Sequence, residues 1–146
     1  MAGVERFDIP DWECFELVAT RTFGRLCVID HGYPLAFPVN FRLIGSGHDR
    51  QVVIRTAPHT LLAAHTGLVS FEVDDVDEVQ RQAWSVIIRG SLRKEAGPHQ
   101  LPDPDPWVTE GRHQWLVVDA QAVSGRRFVG QPSDDGFSVD WELDGS

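Results

Sequence analysis

The chain has 146 residues, 42% of them hydrophobic and 24% charged, which is the profile and the length of one globular domain of about 100–200 residues. Thirteen Lys and Arg stand against 22 Asp and Glu, a formal charge of -9, which argues against nucleic acid or an anionic membrane as a partner. Any anionic ligand must therefore be held by a local cluster of donors. No apolar run suits a signal peptide or approaches the ~18 residues of a membrane span, so a cytoplasmic protein is expected. Cys14 and Cys27 have neither zinc nor disulfide spacing and read as buried free thiols.

Asp11 precedes a short amphipathic stretch, 12–20. Trp12, Phe15, Leu17, Val18 and Ala19 share one face there and Glu13 and Glu16 the other, which predicts a helix capped by Asp11. Two β-rich runs, 25–29 and 35–43, flank a turn at Asp30-His31-Gly32-Tyr33-Pro34, the pattern of an antiparallel hairpin. Gly45-Ser46-Gly47-His48-Asp49 turns the chain into a third strand, 51–56. Pro58 can open a two-turn helix that runs through His65 and stops at Gly67.

Period-two alternation over 68–74 predicts a fourth strand, followed by an acidic loop with Asp74, Asp75, Asp77 and Glu78, then a long fifth strand over 82–93. Residues 97–106, rich in Pro and Asp, read as loop. A sixth strand covers 115–123, after which Ser124-Gly125-Arg126-Arg127-Phe128 is expected to turn away. In the acidic tail, 131–146, Phe137, Val139, Trp141 and Leu143 alternate, as in a loose edge strand or a disordered end. Six short strands and two small helices over 1–130 predict a mainly β domain, an antiparallel barrel, because closure removes the edges so many strands would otherwise expose.

Three stretches could carry chemistry. In Ile54-Arg55-Thr56-Ala57-Pro58-His59-Thr60, a strand ends in an arginine and a hydroxyl just before a helix opens, which suits an anion such as phosphate. The same residues also fit a surface ion pair and a helix cap. In Pro38-Val39-Asn40-Phe41, the Asn40 amide offers a donor and an acceptor to a heteroaromatic edge, or simply faces water. Trp84-Ser85 sets an indole and a hydroxyl at the start of the fifth strand, either beside a planar ligand or with Trp84 in the core. The six histidines make no metal spacing, and no Ser/His/Asp or Cys/His set can be assembled.

Taken together these stretches resemble the small actinobacterial-type members of the pyridoxamine 5'-phosphate oxidase-like family of split-barrel flavoproteins. Gly24-Arg25-Leu26, Phe71-Glu72-Val73-Asp74, Trp84-Ser85-Val86-Ile87-Ile88-Arg89-Gly90 and Ser124-Gly125-Arg126-Arg127-Phe128 extend the likeness over about 13–128. The resemblance implies a six-stranded antiparallel split barrel of Greek-key type, a homodimer with two FMN sites at the subunit interface, and a small-molecule substrate. It implies that Pro38, Val39 and Asn40 run along the flavin ring, that Ile54, Arg55 and Thr56 lie at the ribityl-phosphate end, that His59, Thr60 and Leu61 stand at the phosphate, and that Trp84 and Ser85 approach the ring.

Leu61 departs from the family pattern, which has a lysine after the helix threonine; one lost charge-assisted contact costs about 1–3 kcal/mol. A protonated His59 would compensate below about pH 6.5. Two functions follow: an oxidoreductase dependent on FMN or on the deazaflavin F420, or a non-catalytic dimeric module that carries flavin or another small molecule. Haem handling, with His59 or His65 as ligand, is a more distant reading.

Overall fold

The computed structural model describes residues 3–56, 65–95, 103–104 and 114–130. Its elements run β1 (Val4–Ile9), α1 (Asp11–Ala19), β2 (Phe23–Asp30), β3 (Tyr33–Ile44), β4 (Gln51–Thr56), β5 (Gly67–Asp77), β6 (Gln82–Glu95) and β7 (Gln114–Gly130). The strands form one antiparallel sheet in the order β1-β7-β4-β3-β2-β5-β6, which β6 closes by pairing back onto β7. Six strands make a ring, and β1 lies outside it on the C-terminal half of β7. Within the ring the neighbours β5-β2-β3-β4 form a Greek key.

The register measures how the ring closes. From Arg55 the ladder passes through Trp115 to Glu95 of β6. Continued the other way in register, through β3, β2 and β5, the same row reaches Ser85 of β6. This stagger of about ten residues in a six-stranded ring demands steeply tilted strands and a filled interior. Leu26, Phe41, Val52, Ile54, Phe71, Val86, Ile88 and Leu116 supply that filling, one from every second position. Phe41 and Phe71 meet edge to face, with ring centres 4.8 Å apart at 70°.

The β2–β3 hairpin forms where the turn residues predict it. His31 (φ 50°) and Gly32 (φ 84°) both adopt positive φ between the partners Asp30 and Tyr33, the two-residue turn whose twist matches the strands. β5 runs to Asp77 rather than ending at Asp74; the turn comes after it, where the Asp77 carboxylate accepts the Val79 and Gln80 N–H groups.

Helix α1 begins at Asp11 itself, after Pro10, and has no side-chain cap. Its buried stripe is narrow, Cys14 and Val18 one turn apart, and Trp12 is 63% exposed rather than packed inside. The Cys14 thiol donates to the Ile9 carbonyl at 3.4 Å. Cys27 is half-buried, not fully buried as expected.

The chain does not turn away at 124–128; β7 continues to Gly130, and β1, absent from the sequence reading, pairs along this extension from Val4↔Gly130 to Ile9↔Gly125. A Cβ on Gly125 would sit 2.6 Å from the Cys14 sulfur, so this glycine lets α1 approach the strand and does not mark a turn. β1 escaped notice because only Ile9 of its six residues is buried, which leaves no alternation to read. Residues 58–64 of the helix predicted over 58–65, most of the 97–106 loop and the 131–146 tail lie outside the described residues, and His65 itself is not helical. Among the described residues no helix is long and apolar enough to cross a membrane.

Candidate functional site

Alternation along the strands sorts the candidate residues onto two faces of the barrel wall. On β3, Phe41 is buried in the core and Val39 packs against it, so Pro38, Asn40 and Arg42 point outward. On β4, Val52 and Ile54 are core residues and Val53 and Arg55 point outward; on β7, Leu116 and Val118 are core and Trp115 and Val117 outward. Ile54 and Val39 can therefore meet an outside ligand only through their backbone. The ladder sets Arg55 beside Trp115 and Thr56 beside Gln114, and one further step from Phe41↔Ile54 sets Asn40 beside Arg55.

Arg55 is the centre of this outer face. Its Nη1 donates to Asp103 Oδ2 at 2.8 Å, and its guanidinium carbon lies 5.9 Å from the centre of the Trp115 ring. The side chain is only 16% exposed, and its Nε is buried without a hydrogen-bond partner. Arg42 Nε donates to the Asp103 carbonyl at 3.2 Å, so the Asp103-Pro104 stretch is tied to the same face. Val53 and Val117 beside it are fully buried. A guanidinium offers five donors, and leaving a buried one unmade costs about 1–3 kcal/mol. The orphaned Nε thus fits an oxyanion held against a largely apolar wall.

The Asn40 amide nitrogen donates to the Thr22 carbonyl at 3.3 Å. Trp84 is a core side chain, 8% exposed, with the Arg21 guanidinium 5.6 Å above its ring. Ser85 does face outward, between Asp74 and Arg126. From Asn40 to Ser85, however, the row crosses β2 and β5, three strand spacings or about 14 Å. One chain thus brings Asn40, Arg55 and Thr56 together and holds Trp84 and Ser85 apart from them. His59, Thr60 and Leu61 lie outside the described residues, and His65 sits 3.4 Å from Asp30. Among the described residues no group of three His, Cys, Asp or Glu could hold a metal.

Between the two halves lies a charged cluster built from Arg25 of β2 and Glu72 and Asp74 of β5. Arg25 Nη1 is 2.8 Å from Asp74 Oδ2 and 3.4 Å from Glu72 Oε1, one cation shared by two carboxylates two positions apart on β5. Burial, and then the hydrogen bond and charge of Asp74, push the Glu72 carboxyl up to about 7, against the opposing pull of Arg25. Asp103, Trp115 and Arg42 were also missed. Asp103 meets Arg55 across 48 positions, and no local pattern announces such a contact. Arg42 could have been found, since it follows Asn40 at period two on one strand face.

The family model described as pyridoxamine 5'-phosphate oxidase matches residues 10–127, which include β2 to β6 and nearly all of β7. The chain belongs to this family. Its pyridoxamine 5'-phosphate oxidase-like barrel is similar to the FAD-binding protein from Mycobacterium smegmatis, at 31% identity and TM-score 0.70, covering 84% of this chain and 98% of that one. It is also similar to a conserved protein of unknown function from Corynebacterium diphtheriae, at 28% identity and TM-score 0.71, covering 85% and 98%. An uncharacterized protein of Mycobacterium tuberculosis is 27% identical over 128 residues, 80% of this chain and 82% of that protein. The barrel expected from the sequence is thus the family's fold, with β1 as a seventh strand outside the ring.

Proposed function

We propose that this chain binds a flavin nucleotide, FMN or FAD, on the outer face of β3, β4 and β7, and serves as a flavin-dependent oxidoreductase that works as a homodimer on a small-molecule substrate. The observation that carries this reading is Arg55, a nearly buried guanidinium with an unused Nε, backed by Trp115 and lying in one row with Asn40. The FAD bound by the Mycobacterium smegmatis relative supports the cofactor class. When bound, the flavin ring supplies hydride or electron transfer, and the protein contributes position and field.

The chain's own residues have distinct tasks in this reading. Arg55 meets a phosphate oxygen with Nε, and Trp115 restrains its guanidinium. Because Leu61 replaces the usual lysine, Arg55 carries most of the positive charge, and binding depends on it more steeply. Asp103 competes with phosphate for the same guanidinium. Pro38 and Asn40 line the face along which the ring extends. The roughly 14 Å between Asn40 and Ser85 supports a dimer, because a ring touched by both stretches is reached most directly by Ser85 of a second copy.

Fluorescence titration with riboflavin, FMN, FAD and F420 tests the reading. FMN or FAD should saturate the protein and riboflavin bind about tenfold more weakly or worse, since it lacks the phosphate. Arg55→Ala should abolish that difference, and Asp103→Asn should tighten FMN or FAD several-fold. Saturation by no flavin, or an Arg55→Ala variant with unchanged affinity, would sink it. The neutralisation of Arg55 by Asp103 favours a second reading, a flavin carrier without turnover. Failure of NADPH, NADH and reduced F420 to reduce the bound flavin would select it, and preference for F420 itself would reassign the cofactor.

A further inference from the structure

A second cavity lies at the other end of β4, under helix α1. Its volume is about 360 Å³, and Trp12 and Phe15 of α1, His48 of the β3–β4 turn, Arg50, and Gln121 of β7 line it together with Asp11. The size suits a small ligand of one or two rings. Arg50 and Arg55 are five residues apart on an extended strand, about 17 Å, so this cavity is separate from the outer face described above.

Arg50 is the feature that asks for a ligand. Its guanidinium carbon lies 4.9 Å from the centre of the Phe15 ring, and its Nε is buried with no hydrogen-bond partner. Among the described residues Arg21, Arg25, Arg55, Arg93 and Arg127 make seven contacts to carboxylates, but Arg50 makes none, even though Asp11 lines the same cavity. In a chain of charge -9, a half-buried cation that is stacked on an aromatic ring yet has no carboxylate is exceptional. Leaving such a charge unpaired is costly, and an incoming anion relieves that cost. Trp12, 63% exposed on the residue before the buried turn of α1, offers a second ring face at the rim.

We infer that the cavity between α1, Arg50 and β7 is a binding site for a small planar aromatic carboxylate. The carboxylate pairs with the Arg50 guanidinium, and the ring packs between Trp12 and Phe15. Gln121 and His48 border the cavity as polar groups, and Asp11 excludes dianions by repulsion. The site is independent of flavin, since no residue in it belongs to the Arg55 face.

Calorimetric titration of the full chain with 2-naphthoate, and with the neutral 2-naphthalenemethanol as control, tests this. The acid should saturate one site per chain, and the alcohol should bind at least about tenfold more weakly, the loss of one charge-assisted pair. Arg50→Gln should weaken the acid by a similar factor and Arg50→Lys by less. Trp12→Ala, at an exposed position that leaves the core intact, should weaken acid and alcohol alike. Arg55→Ala should change neither, and flavin titration of Arg50→Gln should match the wild type. No saturation by naphthoate, equal affinity for acid and alcohol, unchanged affinity in both Arg50→Gln and Trp12→Ala, or a loss confined to Arg55→Ala would each overturn the inference.

Discussion

Glu72 shows how one strand position acquires a property its residue type does not have. Half-buried beside Asp74, it takes up a proton near pH 7, well above the 4.5 of a free glutamate. An acid raised in the folded state binds its proton more tightly there than in the unfolded chain. Its contribution to stability is therefore complete below about 4.5 and is lost as pH rises through about 7. Glu72→Gln, a fixed mimic of the protonated form, should melt a few degrees above the wild type at about pH 8.5 and converge with it near pH 5. An equal loss of stability at both pH values would mean that the charge of Glu72 is needed for its contact with Arg25. Cys14 is the complementary case. Burial first, then Asp11 and Glu13, push its thiol up to about 11. A thiol reagent at about pH 8 should modify at most Cys27 in the native protein and both cysteines after denaturation, because the thiolate is the reactive form. At this scale the sequence revealed Arg55 and Asn40, whose positions on strands are local facts. It could not reveal Asp103 on Arg55 or Arg25 on Glu72 and Asp74, contacts that join distant segments.

Among the elements, β6 depends on a glycine that has no part in a turn. At the irregularity between Arg89 and Gly90, β6 shifts register against β7, and a Cβ on Gly90 would lie 2.2 Å from the Asp119 carbonyl oxygen. Backbone cannot yield as a side-chain tip can. Gly90→Ala should therefore cost about 2 kcal/mol or more, a drop of several degrees in Tm. A melting point within a degree of the wild type would show that the irregularity relaxes. Next to it, Asp119 accepts from Arg93 and from Gln51, both at 2.8 Å, and so ties β6, β7 and β4 together. Five of the six ring strands were legible within a few residues, because their inward faces alternate cleanly. The sequence ends the sixth, β7, at Val123 and leaves β1 invisible for one reason: their shared edge is polar outside and Gly125 serves packing, so neither periodicity nor punctuation carries the information. Helix α1 was found, but its face was misjudged, since Cys14 and not Trp12 anchors it.

For the molecule as a whole, the barrel could be anticipated from strand number and edge avoidance, whereas the stagger that sets the spacing of Asn40 and Ser85 needs the full register. That spacing bears on assembly. Size-exclusion chromatography with light scattering should give twice the 16.3 kDa chain mass. A monomer that still binds flavin with full affinity would remove the second copy from the proposed site. Ile29, Tyr33 and Leu68, exposed by 62%, 72% and 79%, supply apolar area that such an assembly can bury.

Strand β7 pairs with β1, β4 and β6 at once, yet it is the last element of the barrel to be made. Without β7, the strands β2 to β6 can pair only as an open sheet whose outer members, β4 and β6, each lack a partner along one edge until residues 114–130 emerge. The barrel therefore cannot be completed piecemeal: its closure waits on contacts of long sequence separation, the slow kind, and for that interval the nascent chain presents two adhesive borders to its neighbours. A chain stopped at residue 113 should accumulate as aggregate rather than as a smaller domain.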